Sequence, residues 1–367
     1  MGNRTRLGRM SKALAGSFLV VVLAVVLAGS SLAQEYFDSY GLKPASAALD
    51  LGIQPLGYPS GVLSAVMRHD RILKTTLAEL GHPLQAHPFR RGADMVKLLA
   101  DRRLEAGLLG DMPTILAASS GSVWIVGLVK QTSTAIVARG DIQLASLAGK
   151  RIAYVDGSSA HQTLLQGLKS ASLNETDVKL VNMGVDAMPE ALEKGDIDAF
   201  AAWEPAPTIA LAQKGRNRIV FRGQSTDYFV VERGFADEAP KAADALIAGY
   251  LRAIEWMRRS QKNVEKAAQW AMEDAQALSG KASGLSVAQI VAITRREILN
   301  VPSAPTILAN PSAPQPLKAE FEFLTLQKKI PSGSSWENVA NALSYQGLAN
   351  IMADRRGSQV GHFDYEN

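Results

Sequence analysis

The chain has 367 residues, 47% of them hydrophobic, with 16 prolines, no cysteine, and 39 basic against 35 acidic side chains. The missing cysteine excludes disulfides, thiolate metal centres and cysteine nucleophiles, so stability has to come from packing. The basic excess lies within the first 33 residues, which hold four basic and no acidic side chains; the rest carries 35 of each, removing the electrostatic case for nucleic acid or polybasic membrane contact.

Arg4, Arg6, Arg9 and Lys12 precede an unbroken apolar run over 18–28, and Ser31-Leu32-Ala33 then offers small residues for cleavage before Gln34. This pattern predicts a secretory signal peptide over 1–33, since a permanent span needs about 20 apolar residues. There is no cysteine to be lipidated, so the mature chain is expected to diffuse freely in a periplasm, with no stable membrane anchor. At 334 residues it suits two lobes better than one core.

After an irregular leader over 34–46, a strand is predicted at 49–53 and breaks at the proline-rich loop 54–60. Val62, Leu63, Val66, Ile72, Leu73, Leu77 and Leu80 follow as a helical apolar face. Strand 84–89, helix 93–101, strand 104–109, helix 114–119 and strand 123–129 complete a β/α alternation that implies a parallel sheet with helices on both faces. Residues 133–139 read as an extended crossing. A second series then begins: strand 151–155, helix 159–170, strand 178–183, helix 187–194, strand 197–203, helix 204–214 and strand 218–221. Residues 228–232 are a further strand candidate, able to carry the chain back to the first lobe. From 239 the pattern is helical; 302–316 is proline-rich and irregular, helices are expected around 317–326 and 336–352, and 355–367 reads as a loose tail. The predicted fold class is α/β with two lobes, each a mostly parallel sheet flanked by helices, and a helical C-terminal extension. The lobes divide as 34–138, then 139–223, then a return over 224–353, with a tail at 354–367.

In open α/β sheets the ligand sits beyond the carboxyl ends of the strands. Those loops supply Gln54, Tyr58, Arg91, Gly110, Asp111 and Thr132 from the first series, and Ser158, Ser159, His161, Trp203 and Glu204 from the second. Ser158 and Ser159 open a predicted helix, where unpaired N–H groups suit an anionic or acceptor-rich group. Arg91 offers a bidentate fork to an oxyanion, Glu204 a partner for an ammonium, and Trp203 a flat apolar wall. Each has a plain structural reading beside the functional one: Ser158 and Asp111 as caps, Arg91 as a solvated loop residue, Glu204 as a first-turn acid, and Tyr58, His161 and Trp203 as packing groups. Nothing is arranged for covalent chemistry. Ser159 and His161 stand two apart and do not face each other on a helix, and the five histidines form no metal-binding pair.

Gly110-Asp-Met-Pro113, the block from Leu147 through Ser158, Ser159 and His161, and the block from Asp198 through Trp203-Glu204-Pro205 resemble, in that order, three blocks of the solute-binding proteins that serve ABC importers for sulfonates, taurine and nitrate. The resemblance covers roughly 49–235. It implies a periplasmic binding protein-like fold of type II whose lobes, joined by crossings near Ala138 and Gln224, close on a small anionic or zwitterionic solute. The implied partners are that solute and a membrane permease with its ATPase; a monomer without cofactor, metal or catalytic role is expected. The loop 54–60 departs from any pattern tied to one solute, so solute identity stays open. A periplasmic ligand sensor and a menaquinone-pathway type of enzyme on the same fold are the alternative readings.

Overall fold

β1 (Leu49–Ile53) is buried at every position, as a strand covered by helices on both faces must be. It opens a computed structural model that describes residues 42–44, 46–213, 216–301, 304–305, 315 and 317–366. The signal peptide expected over 1–33 and nearly all of the proline-rich stretch 302–316 lie outside the described residues.

After β1 come α1 (Ser60–Arg68), α2 (Arg71–Glu79), β2 (Leu84–Pro88), α3 (Ala93–Ala100), β3 (Ala106–Gly110), α4 (Asp111–Ser119) and β4 (Val123–Ala138). The second series is β5 (Arg151–Tyr154), α5 (Ser159–Ser170), β6 (Lys179–Asn182), α6 (Met188–Lys194), β7 (Ala199–Ala202) and α7 (Ala206–Ala212), ending on β8 (Arg218–Glu232). Helices complete the chain: α8 (Arg233–Glu238), α9 (Pro240–Arg259), α10 (Gln261–Ser279), α11 (Val287–Thr294), α12 (Lys318–Leu326), α13 (Trp336–Ala342) and α14 (Gly347–Ala353). A π-helical turn, Arg295–Leu299, follows α11 directly.

The eight strands form one sheet in the order β2-β1-β3-β8-β4-β7-β5-β6. β1 pairs in parallel with β2 and β3, and β5 in parallel with β6 and β7. The two groups meet through the long antiparallel pair β4 and β8, whose register runs from Val123 opposite Glu232 to Ala138 opposite Arg218. β3 takes only the far part of β8, from Asp227 to Val231, and β7 only the far part of β4, from Ala135 to Ala138.

The apolar cores follow this division. One large core gathers Leu51, Val66, Phe229, Tyr250 and Trp270 beneath the C-terminal helices. Around β5–β7 there are two smaller ones on opposite faces of the sheet. Ala135, Val137, Phe200 and Ala202 point into the first with Met188 and Leu192, while Ile136, Ala138, Ala199 and Ala201 point into the second with Leu164 and Leu168. That is the two-residue alternation of a strand covered on both sides. Gly127 shows how closely β4 packs: a Cβ there would stand 2.7 Å from the Tyr250 ring, whose hydroxyl donates to the Leu128 carbonyl at 2.7 Å. The register of β4 against β8 also slips beside this glycine.

Several expectations need correction. The strand 123–129 and the extended segment 133–139 are one strand, and so are 218–221 and 228–232, because hydrogen bonding between β4 and β8 continues through the polar residues between the apolar runs. β4 does not extend the first parallel series, since β8 lies between it and β3. β7 pairs with β4 only from Ala135 to Ala138. The first helix after β3 starts at Asp111, three residues earlier than predicted.

The described part of the tail, expected to be loose, is docked. Val360 is fully buried, Tyr365 bridges to Asp70, and its ring meets Trp256 with centroids 4.5 Å apart. Asp364 and Glu366 pair with Arg71 and Lys74. Tail contacts also close over a buried ion pair: Arg252 Nε reaches Asp70 Oδ2 at 2.6 Å while its Nη1 donates to the Gln359 carbonyl. Isolated aromatic and charged anchors without period hold this segment, which is why periodicity missed it.

Candidate functional site

Asp227 precedes the apolar end of β8, and Lys130 ends the apolar start of β4. Register pairs the two residues, and Lys130 Nζ lies 3.5 Å from Asp227 Oδ1 with both side chains nearly sealed from water. Ser60, the first residue of α1, donates its hydroxyl to the other oxygen of Asp227. Asp111, the first residue of α4, accepts from its neighbour Met112 N–H at 2.7 Å and from Thr226 N–H at 3.2 Å, which ties α4 to the middle of β8. Ser225 donates to Ser159 Oγ at 3.3 Å, so the same few residues of β8 also touch the start of α5.

The π turn brings in the C-terminal region. Glu297 is 2% exposed; Arg296 Nη2 donates to Glu297 Oε1 at 2.5 Å and to Glu204 Oε1 at 2.9 Å. Glu204 also accepts from Thr208 N–H, as an acid at a helix start does. Hydrogen bonds and ion pairs thus join Ser159 to Ser225, Thr226 to Asp111, Ser60 and Lys130 to Asp227, and Glu297 through Arg296 to Glu204, while Lys130 acts on Glu297 and Asp111 electrostatically.

Its protonation follows from its charges. Burial pushes the Asp111 carboxyl up to about 7, and the neighbouring carboxylates Glu320 and Asp227 add to the shift. Burial also raises Glu297 against the opposing pull of Lys130. For Lys130 burial disfavours the charge, but Asp227, Glu297 and Asp111 together outweigh it and hold the ammonium above its ordinary value. Thr132 Oγ1 and Glu297 Oε2 fall outside strict hydrogen-bond geometry, but the two side chains face one another, and the Thr132 hydroxyl draws the Glu297 carboxyl down against its burial.

Of the predicted residues, Asp111, Thr132, Ser159 and Glu204 come together at this crossing. Gly110 caps α4 next to it, and a Cβ there would stand 3.6 Å from Asp227 Oδ1. Gln54 anchors its loop by donating to the Leu108 carbonyl at 3.2 Å. Ser158 serves as the α5 cap, accepting from His161 N–H. His161 is buried; Gly157 N–H donates to its Nδ1, which leaves the ring proton on Nε2 to meet Glu175 at 3.2 Å. Phe323 of α12 packs edge-on against the His161 ring, and Lys329 Nζ reaches Asp156 Oδ2 at 2.6 Å. Trp203 is half-buried against the core around Leu164.

Two residues sit differently from the expected cleft lining. Tyr58 is wholly buried in the large core, where burial raises its hydroxyl. Arg91 directs Nε and Nη2 to both oxygens of Asp94, at 3.2 and 2.6 Å, so its fork is engaged within its own turn. Lys130, Asp227, Arg296 and Glu297 were not picked out from the sequence. The available signal was a charge set against an apolar strand run, as in Val-Lys130 and Asp227-Tyr-Phe-Val-Val. Among the described residues no group of three or more histidines or acids could hold a metal ion, and no helix is long and apolar enough to cross a membrane.

Comparison with known proteins places relatives around this geometry. The model of the NMT1-like family matches residues 42–272. A putative aliphatic sulfonates-binding protein of Escherichia coli is 26% identical over 56% of this chain and 67% of its own length. The taurine-binding periplasmic protein of the same organism is 32% identical over 47% of this chain, which spans 56% of that relative. Among solved structures, the periplasmic aliphatic sulphonate binding protein SsuA from Escherichia coli superposes with a TM-score of 0.64 at 21% identity, covering 80% of this chain and 92% of that one.

Proposed function

Because this chain belongs to the NMT1-like family, we propose that it is the periplasmic solute-binding component of an ABC importer. It takes a small sulfonate- or nitrate-like solute, anionic or zwitterionic, between its two lobes and delivers it to a membrane permease with its ATPase. Export by a cleaved signal peptide over 1–33 and action as a monomer belong to the same reading. The lobes are the β1–β3 side, with the ends of β4 and β8 nearest it and the C-terminal helices, and the β5–β7 side.

The observation that carries the reading is the convergence at the strand crossing. α4 of one half and α5 of the other both start there, and their first residues, Asp111 and Ser159, are tied to consecutive residues of β8. A solute bridging these helix starts would bias the lobes toward closure, the closed surface being what the permease recognises. The chemistry available is recognition, by hydroxyls, amide N–H groups, carboxylates and two cations, without an activated nucleophile.

A thermal-shift panel of taurine, alkanesulfonates, nitrate, bicarbonate and pyrimidine precursors tests this, because a solute at 100 times its Kd stabilises by about 2.7 kcal/mol. Solution scattering should then report a smaller radius of gyration with the winning solute. Ser159→Ala and Trp203→Ala are each expected to weaken binding roughly tenfold or more with little change in the unliganded melting point. Normal binding by both variants, or a saturating solute that leaves the radius unchanged, would overturn the reading.

A further inference from the structure

α12 lies outside the residues matched by the family, yet it packs against both α4 and α5. Its hold on the α4 side is built through α13. Phe321 meets Trp336 edge-on with ring centroids 5.6 Å apart, and Lys318 Nζ lies 4.6 Å over the same indole, so α12 and α13 are joined. α13 is in turn fixed to the end of α4: the Ser119 carbonyl accepts from Ser335 N–H at 3.3 Å and from Asn338 Nδ2 at 2.8 Å, and Val339 and Ala342 are fully buried. At the start of α4, Glu320 of α12 adds to burial in raising the Asp111 carboxyl. The hold on the α5 side is of another kind. Phe323 meets the His161 ring edge-on with centroids 5.6 Å apart, Lys329 Nζ reaches Asp156, and the Lys329 stem runs past the Gly157 turn, where a Cβ would stand 3.4 Å from its Cε. Side chains of that ion pair are more than a third exposed. An ion pair so exposed biases an equilibrium by about fivefold at most, and an aromatic edge contact by about tenfold. The α5 side is therefore the one that lets go.

We propose that α12 is a strap across the two helix starts: anchored through α13 at the end of α4, it lifts from the start of α5 to admit solute and settles back on His161 and Asp156 to retain it. The inference rests on the solute-binding reading above and adds to it a gate supplied by the C-terminal region. A strap that touches only protein makes no differential contact with the solute, so it slows entry and departure by the same factor and leaves Kd to the groups beneath it.

The test uses the absence of cysteine. Ser159→Cys in the mature protein gives a single thiol at the site, and its rate of modification by methyl methanethiosulfonate, a small neutral reagent, reports access. Adding Phe323→Ala and Lys329→Ala together should speed that reaction ~5–50-fold, and Asp156→Asn, which leaves α12 untouched, ~2–5-fold. High salt should accelerate the parent by about the same factor as Asp156→Asn and add little to that variant. A second thiol, Ala253→Cys, sits fully buried in the large core and should keep its parent rate in the strap variants. With Ser159 in place and taurine as the probe, stopped-flow rates of association and dissociation should rise together at constant Kd. Unchanged labelling of Ser159→Cys would overturn the strap and leave the solute-binding reading standing. Equal acceleration at both thiols would show general loosening and overturn it too, as would a tenfold change in Kd, which would make α12 a wall of the site. Accelerated labelling in a protein whose melting neither taurine nor any other compound of the panel shifts would remove the solute-binding reading and keep the strap as a cover of the two helix starts.

Discussion

Two buried sets of charges lie at opposite ends of α1, and they are built on different terms. At the outer end Asp70 and Arg252 are matched one to one, at 0% and 2% exposure of their side chains, with Asp70 also capping α2 and Arg252 donating to the tail. At the inner end, where Ser60 touches Asp227, the buried acids Asp111, Asp227, Glu204 and Glu297 outnumber the bases Lys130 and Arg296. A matched, hydrogen-bonded pair has no use for a further ion and acts as a fastening. A surplus of one sign costs stability, and burial answers it here by favouring the protonated carboxyl: Asp111 is raised to about 7 and Glu297 is raised as well.

The largest test of this contrast is Arg252→Ala. It leaves Asp70 buried without its cation and is expected to cost about 3–5 kcal/mol in urea unfolding at pH 7. The loss should be smaller near pH 4, since burial already raises the Asp70 carboxyl and removing Arg252 raises it further. Solute affinity should not change. An equal loss of affinity would join the two clusters functionally and break the comparison.

Asp111→Asn should act in the opposite sense. A carboxyl raised to about 7 favours the folded state at low pH and forfeits that contribution as pH rises from the unfolded value toward 7. Relative to the parent, the variant should therefore gain stability between pH 5 and pH 8, by about 2–3 kcal/mol if the whole shift is realised. Thermal melts at the two pH values check this; a variant destabilised equally at both would make Asp111 a plain cap. The smallest effect is expected from Lys329→Ala. That residue pairs with Asp156 where both side chains are more than a third exposed, so the loss should stay under about 1 kcal/mol and vanish in high salt. A larger or salt-resistant loss would mean that an exposed contact between α12 and the start of α5 carries weight comparable to a buried one.

How much of this was legible beforehand varied with the kind of signal. The helix over 159–170 has the same ends in sequence and structure, because Asp156-Gly157 stops the strand and leucines at helical spacing then define one face. The long strands were read as fragments. Apolar alternation fails between Lys130 and Thr134 and again between Arg222 and Asp227, where the cores on either side stop and the polar crossing begins. Of the candidate residues, Asp111, Ser159 and Glu204 could be placed because helix starts announce themselves through small and acidic residues. Lys130 and Glu297 could not, since no spacing rule relates positions joined only by the folded chain. Tyr58 went to the core for a related reason: a proline-rich loop gives no sign of which side its aromatic faces.

The shared pair β4 and β8 has one more consequence. These strands are each other's neighbours along their whole register, and in the proposed two-lobed clamp they are also its two tethers. A protease nick in either tether would therefore not release the pieces, since the cut strand stays laced to the intact one above and below the break. Limited proteolysis could sever the backbone at the crossing and still yield a particle of unchanged mass on a sizing column, coming apart only in denaturant.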